Sequence, residues 1–269
     1  MSMVVPVSFS AMGARAWKQG GSFKFAASSL LVPMDADGLA EAATNIALAF
    51  TAGEKITPVG VLGLRPGENL YVGPDGKWLG RYIPAVLRHY PFRLLRAEGE
   101  QFALGFDTAS GLLAEAGEGE PFFDEHARPT GSIQQILQDL VRVHRGQELL
   151  ARASALLAEH DLLEPWPLKI QDGGNDRSVT GLLRVSESRL SALDDAAFLQ
   201  LRGGGALVVA YAQLLSMPNI AVLGRLAQLH AQHTAHASQR EAEVSAMFEP
   251  LTESDGEIDW AALLNEDQA

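Results

Sequence analysis

With 269 residues, 47% of them apolar, the chain has ample material for one large core or two closely packed ones. It holds no cysteine, which excludes disulfides, thiolate metal sites, iron–sulfur clusters and cysteine nucleophiles and favours a cytoplasmic setting. The formal charge of −12 excludes a sequence-independent nucleic-acid binder, and the nine acids after Arg240, with no Lys or Arg among them, leave only −3 on the rest of the chain.

The start, Met1-Ser2-Met3-Val4-Val5-Pro6, lacks the basic residues and apolar run of a secretory signal, so none is expected. Ser22 to Val32 reads as a strand ended by Pro33. Asp35 and Asp37 then signal a helix start, with Leu39, Ala43, Ile46 and Phe50 at helical spacing behind them. From Ile56 the apolar residues cluster as in strands. Pro74-Asp75-Gly76 supplies turn chemistry between Leu70-Tyr71-Val72 and Trp78-Leu79, which predicts a hairpin.

A short helix is expected over Tyr82 to Tyr90, with Pro84 tolerated in its first turn. A second hairpin follows, Phe92 to Leu95 and Phe102 to Phe106 about Gly99, and then a Gly- and Glu-rich loop from Gly111 to Pro129. Ser132 and Gln135 match a capping box at the head of a long helix that reaches about His160, with an interruption at Gly146. Leu168–Ile170 and Val179–Val185 read as a strand pair around the polar loop 172–177. Helices then follow over Ser186–Leu193, Asp194–Arg202, Ala206–Met217 and from Asn219 onward.

Hairpins and helices without regular βαβ alternation predict the α+β class: antiparallel hairpins packed against several helices, with a helical C-terminal third. The apolar run Ala206–Met217 is short of the roughly 20 residues that span a bilayer, so it is expected as a core helix and no membrane-spanning segment is expected. Residues 1–248 read as a single domain, with two packed halves meeting near 130 as the alternative. Residues 249–269 read as an acidic tail in which Ile258, Trp260, Leu263 and Leu264 allow a short amphipathic helix.

The short motifs carry little chemistry. His230, His233 and His236 invite a metal, but no HExxH arrangement accompanies them and they fall on or beside the apolar sector of their helix, so packing or solvation is the better reading and no metal is expected. Asp107-Thr108-Ala109-Ser110 lacks the glycine and the second copy of an aspartic-protease motif. Gly203-Gly204-Gly205 fits neither a P-loop nor a dinucleotide fingerprint and reads as a break between helices. Asp172, Asn175 and Asp176 lack the ordered oxygen spacing of an EF-hand. No cofactor is implied.

Two longer stretches are more specific. LGLRPGENLYVGPDGKWLGRYIPAVLRHYPF, from Leu62 to Phe92, and TGLLRVSESRLSALDDAAFLQLRGGGALVVAYAQLLSM, from Thr180 to Met217, resemble the SapC-like family. The likeness covers roughly residues 30–217. It implies association with the bacterial envelope, in company with outer-membrane uptake receptors and flavin-dependent halogenase-like genes, but no catalytic residue to carry over. In the first helix, where family members often have an acidic-aromatic pair and Tyr-Pro, this chain has Gly38, Leu39, Asn45 and Ile46.

The candidate binding segment lies inside the first of these stretches. Lys77, Arg81, Arg88, Arg93 and Arg96 form a basic island without an intervening acid, and Glu98 to Glu125 is an acidic segment without a Lys or Arg. Mutual neutralisation of the two is the plainer expectation. The sharper one places Arg81 and Arg88 on one helix face, offering guanidinium forks to an anionic ligand or acidic partner, with Asn69, Tyr71, Trp78, Tyr82 and Tyr90 lining the same surface. The functional expectation is a non-enzymatic accessory or interaction protein of an envelope or nutrient-uptake system. Its alternative is an enzyme or small-anion binder sited on residues 69–90. The oligomeric state is left open.

Overall fold

A computed structural model describes residues 3–53, 55–96, 101–172 and 175–248. From the N-terminus come β1 (Val4–Pro6), the single-turn α1 (Phe9–Met12), β2 (Arg15–Trp17), β3 (Leu31–Pro33), α2 (Leu39–Ala43), β4 (Leu48–Thr51) and β5 (Pro58–Val61). Next are α3 (Ala85–Arg88), β6 (Phe92–Arg96), β7 (Phe102–Asp107), β8 (Leu113–Glu115), β9 (Glu120–Pro121) and the long α4 (Gly131–Glu159). After β10 (Leu163–Pro165), β11 (Leu168–Asp172), β12 (Asn175–Val179) and β13 (Leu182–Val185), the rest is helical: α5 (Glu187–Ser191), α6 (Asp195–Gly203), α7 (Ala206–Ser216) and α8 (Ile220–Phe248). The protein is α+β, and its described strand pairs are antiparallel.

By its contacts the chain divides into two units, Met1–Gly224 and Arg225–Ala269. Within the first, β10-β13-β4-β5-β3 form a five-stranded sheet and β1-β7-β6 a three-stranded one. Helix α4 packs on β5 of the larger sheet and on β6 and β7 of the smaller. Met12, Trp17, Phe92, Leu104, Phe106, Phe122, Ile133 and Leu140 make one buried cluster. In the second unit, α8 carries His233 and His236 exposed and His230 partly so, while Val244 is 55% exposed, so the apolar sector expected to bury these histidines is open along this stretch.

Several elements differ from the sequence reading, each for a local reason. Residues 39–50 are not one helix. The Thr44 hydroxyl and Asn45 Nδ2 both donate to the Glu41 carbonyl, closing α2, and Leu48–Thr51 then pairs with β5 on one side and β13 on the other. Ile46 and Phe50 are fully buried between layers, where apolar spacing over a short window fits a buried strand as well as a helix. Residues 22–32 hold a turn of 3₁₀-helix at Lys24–Ala26 and only the start of β3. The loop 111–129 contains β8 and β9, which flank β2, and the Arg15–Glu115 ion pair ties β8 to it.

The head of α4 is Thr130 rather than Ser132. Its hydroxyl donates to the Pro121 carbonyl, and Gln134 reaches back to the Pro129 carbonyl. Gly146 does not interrupt the helix: a Cβ there would lie 2.9 Å from the Ala36 backbone nitrogen, so glycine lets the helix approach the chain before α2. Asp172 belongs to β11 and Asn175–Arg177 to β12, two strands that pair antiparallel, and Gly181 at φ +83° separates β12 from β13. The turn about Gly99 and the tail 249–269 lie outside the described residues.

Helical structure continues from Ala206 to Ser245, a stretch long and apolar enough by length and composition to cross a membrane. The apolar run ending at Met217 is thus part of a longer helical stretch. Within the first unit, α7 packs on α2, α4, β4 and β13. It buries Ala206, Leu207, Val209 and Ala210, as a core helix does.

Candidate functional site

The segment 69–90 folds around its own aromatic rings. Pro74-Asp75-Gly76 makes the expected turn, with Gly76 at φ +83° and Asp75 Oδ1 accepting from the Lys77 amide at 3.0 Å. That turn brings Val72 opposite Trp78 and lays Tyr71 against the Trp78 ring, with centroids 5.3 Å apart and planes at 17°. Trp78 Nε1 donates to the Tyr82 carbonyl at 2.8 Å, which folds the chain back into α3. Phe23 packs beside Trp78, and Phe25 stacks on Tyr90 at 3.8 Å.

The seven expected residues are close in the fold but do not share one surface. Asn69 is buried as a bracket: Nδ2 donates to the Ala26 carbonyl and Oδ1 accepts from the Tyr71 amide. Tyr71 is buried too, with its hydroxyl donating to the Asn45 carbonyl at 3.2 Å. Neither lines an open face. Trp78 and Tyr90 are half-buried, and Arg81 and Arg88 are exposed. Arg81 precedes α3, a helix of only four residues, so it does not share a helix face with Arg88. Arg88 is committed internally, with Nε donating to the Ile83 carbonyl at 2.7 Å and the guanidinium 5.5 Å from the Tyr82 ring centroid.

Tyr82 is 1% exposed, and its hydroxyl is buried without a hydrogen-bond partner. Burial, reinforced by Asp35, pushes this phenol up to about 12 against the opposing pull of Arg88. It therefore remains a neutral donor at physiological pH. Asp35 is itself buried and accepts from the Gly38 amide through Oδ1 at 3.0 Å. Gly38 packs directly against Tyr82, since a Cβ there would collide with the Tyr82 hydroxyl. Burial also raises Tyr90, with Asp107 adding to it and Arg93 opposing.

Phe23, Phe25, Asp35, Gly38 and Asn45 were not read from the sequence as members of this site. They lie 37 to 59 residues upstream of Tyr82, on segments read as a strand and a helix, and only the fold brings them to it. The expected neutralisation of the basic island takes another form where the acids can be followed. Lys77 pairs with Asp75, Glu115 pairs with Arg15, Glu118 with Lys18 and Asp124 with Arg128. A groove of about 470 Å³ lies elsewhere, between Lys55, Ile56 and the α4 residues Glu148, Ala151, Arg152 and Glu159.

No curated protein and no solved structure matches the chain. A family model does, over residues 11–223, and it ends within one residue of the first unit's boundary at Gly224. That match takes in both stretches quoted from the sequence and the whole aromatic segment, and by it the chain belongs to the SapC family.

Proposed function

We propose that this protein is a non-enzymatic accessory or interaction protein, serving a bacterial envelope or nutrient-uptake system from the cytoplasmic side. One observation carries the reading. The aromatic segment spends most of its buried polar groups on internal hydrogen bonds, leaves Trp78 and Tyr90 half-buried, and exposes Arg81, which makes no ion pair among the described residues. Aromatic and arginine side chains fixed on a rigid turn are the residue types that anchor protein interfaces, and the arginine suits an acidic partner. Family membership supports the envelope setting, and the cysteine-free composition supports the cytoplasmic one.

Affinity capture from the native cell tests this, comparing wild type with Arg81→Ala and Trp78→Ala under small-molecule analysis of each eluate. A protein held by wild type and lost from both variants, at unchanged melting temperature, supports the interaction reading. Equal capture by all three overturns it.

A second reading is favoured by the Tyr82 hydroxyl. A buried neutral donor without an acceptor, with an arginine over its ring, supports a small-anion site, against which the neighbouring Asp35 carboxylate acts. Under that reading the wild-type eluate contains an anionic small molecule that Tyr82→Phe does not retain.

A further inference from the structure

Helix α6 is exposed nearly all round, with Leu201 as its buried residue. Its outward residues Asp195, Phe198, Leu199 and Arg202 stand at i, i+3, i+4 and i+7, within about 100° of one another around the axis. Phe198 is 40% exposed and Leu199 54%, so two large apolar side chains face solvent between an acid and a base. The charges lie about 10 Å apart along the axis, too far to neutralise each other. Neither has an ion-pair partner among the described residues. Asp195 and Arg202 each suit their own helix end, but the helix dipole gives no reason to expose the apolar pair between them.

The face is self-complementary. A two-fold axis passing between Phe198 and Leu199 lays α6 antiparallel on its copy, and in that register Asp195 of each chain meets Arg202 of the other at both ends of an apolar centre. Self-complementarity of this kind is what an isologous dimer requires. The neighbouring helix also exposes apolar side chains. Helix α7 packs against α6 and turns Val208, Tyr211 and Leu215 outward, with Leu215 74% exposed, while it buries Gln213 and Ser216. This helix hides polar residues and presents apolar ones, which marks its outer face as one to be covered.

We infer that a second copy of this chain docks on the α6–α7 face, forming an antiparallel two-fold dimer with reciprocal Asp195–Arg202 pairs about Phe198 and Leu199. The charge pattern selects this occupant over a lipid surface, because an anionic bilayer has no base to offer Asp195. The inference is independent of the role proposed for residues 69–90.

Sedimentation velocity on the full chain, from about 1 to about 100 µM, tests it in the range expected for an interface of modest size. Wild type should pass from monomer to dimer, and Leu199→Asp should remain monomeric at an unchanged melting temperature. Asp195→Arg and Arg202→Asp should each raise the dimer Kd about tenfold, because reversal sets like charges together at both ends. The double variant Asp195→Arg/Arg202→Asp should recover wild-type association. A wild type that stays monomeric, a double variant no better than the singles, or flotation of the wild-type monomer with phosphatidylglycerol vesicles would each overturn the proposal.

Discussion

Tyr82 and Gly38 meet where a phenol hydroxyl occupies the space a side chain at 38 would need. Gly38→Ala is therefore expected to cost about 1 to 3 kcal/mol in chemical denaturation, as overpacking does. Tyr82→Phe removes a hydroxyl without a partner and is expected to change stability by less than about 1 kcal/mol in either direction. Because the clash is with the hydroxyl, the double variant should recover most of the Gly38→Ala loss, and a strictly additive cycle would place the clash elsewhere.

Nearby, His89 is held below its ordinary value of 6.5 by burial, with Arg88 acting in the same direction and Asp139, 3.7 Å away, opposing. The unfolded chain thus takes up the proton at a higher pH than the folded one. Stability should fall as pH drops from about 6.5 toward the folded value and level off below it. Denaturation midpoints across that window should show a shallower slope for His89→Gln than for wild type. An equal slope would assign the pH response to other groups.

At the scale of elements, α7 is held to the larger sheet by polar side chains that serve backbone groups. Gln213 accepts from the Val185 amide and donates to the Leu48 carbonyl, and the Ser216 hydroxyl accepts from the Leu48 amide at 2.9 Å. These bonds join helix α7 to β13 and β4, neighbouring strands of one sheet. Gln213→Leu keeps the bulk but strands a buried amide and a buried carbonyl, and about 2 to 4 kcal/mol should be lost in denaturant melts. A loss under about 0.5 kcal/mol would mean that the two Gln213 bonds contribute little to holding the helix.

At the scale of the whole molecule, the family match and the first unit stop at nearly the same residue, and within α8 the side chains of residues 231–245 are exposed. A chain truncated after Phe248 is expected to melt within about 2 °C of the full chain, because stability tracks the buried core. A larger fall would give the acidic tail a structural role. Loss of a captured partner at an unchanged melting temperature would make it a recognition element.

What the sequence determined by itself is what depends on local chemistry and composition. The Pro74-Asp75-Gly76 turn, the second hairpin, the helical C-terminal third, the α+β class and the family were all legible, because turn residues, alternation and long periodic stretches act over a few neighbours. The turn within residues 69–90 is local too, but it does not set the seven candidate residues on one surface. Tertiary structure decided their roles. Asn69 and Tyr71 turn inward because their hydrogen-bond partners, the carbonyls of Ala26 and Asn45, arrive from 43 and 26 residues away. Residues 48–51 form a central strand rather than a helix because β5 and β13 pair on both of their edges. Periodicity reports which side chains seek burial. Which element buries them depends on distant pairings, and a single sequence does not display those.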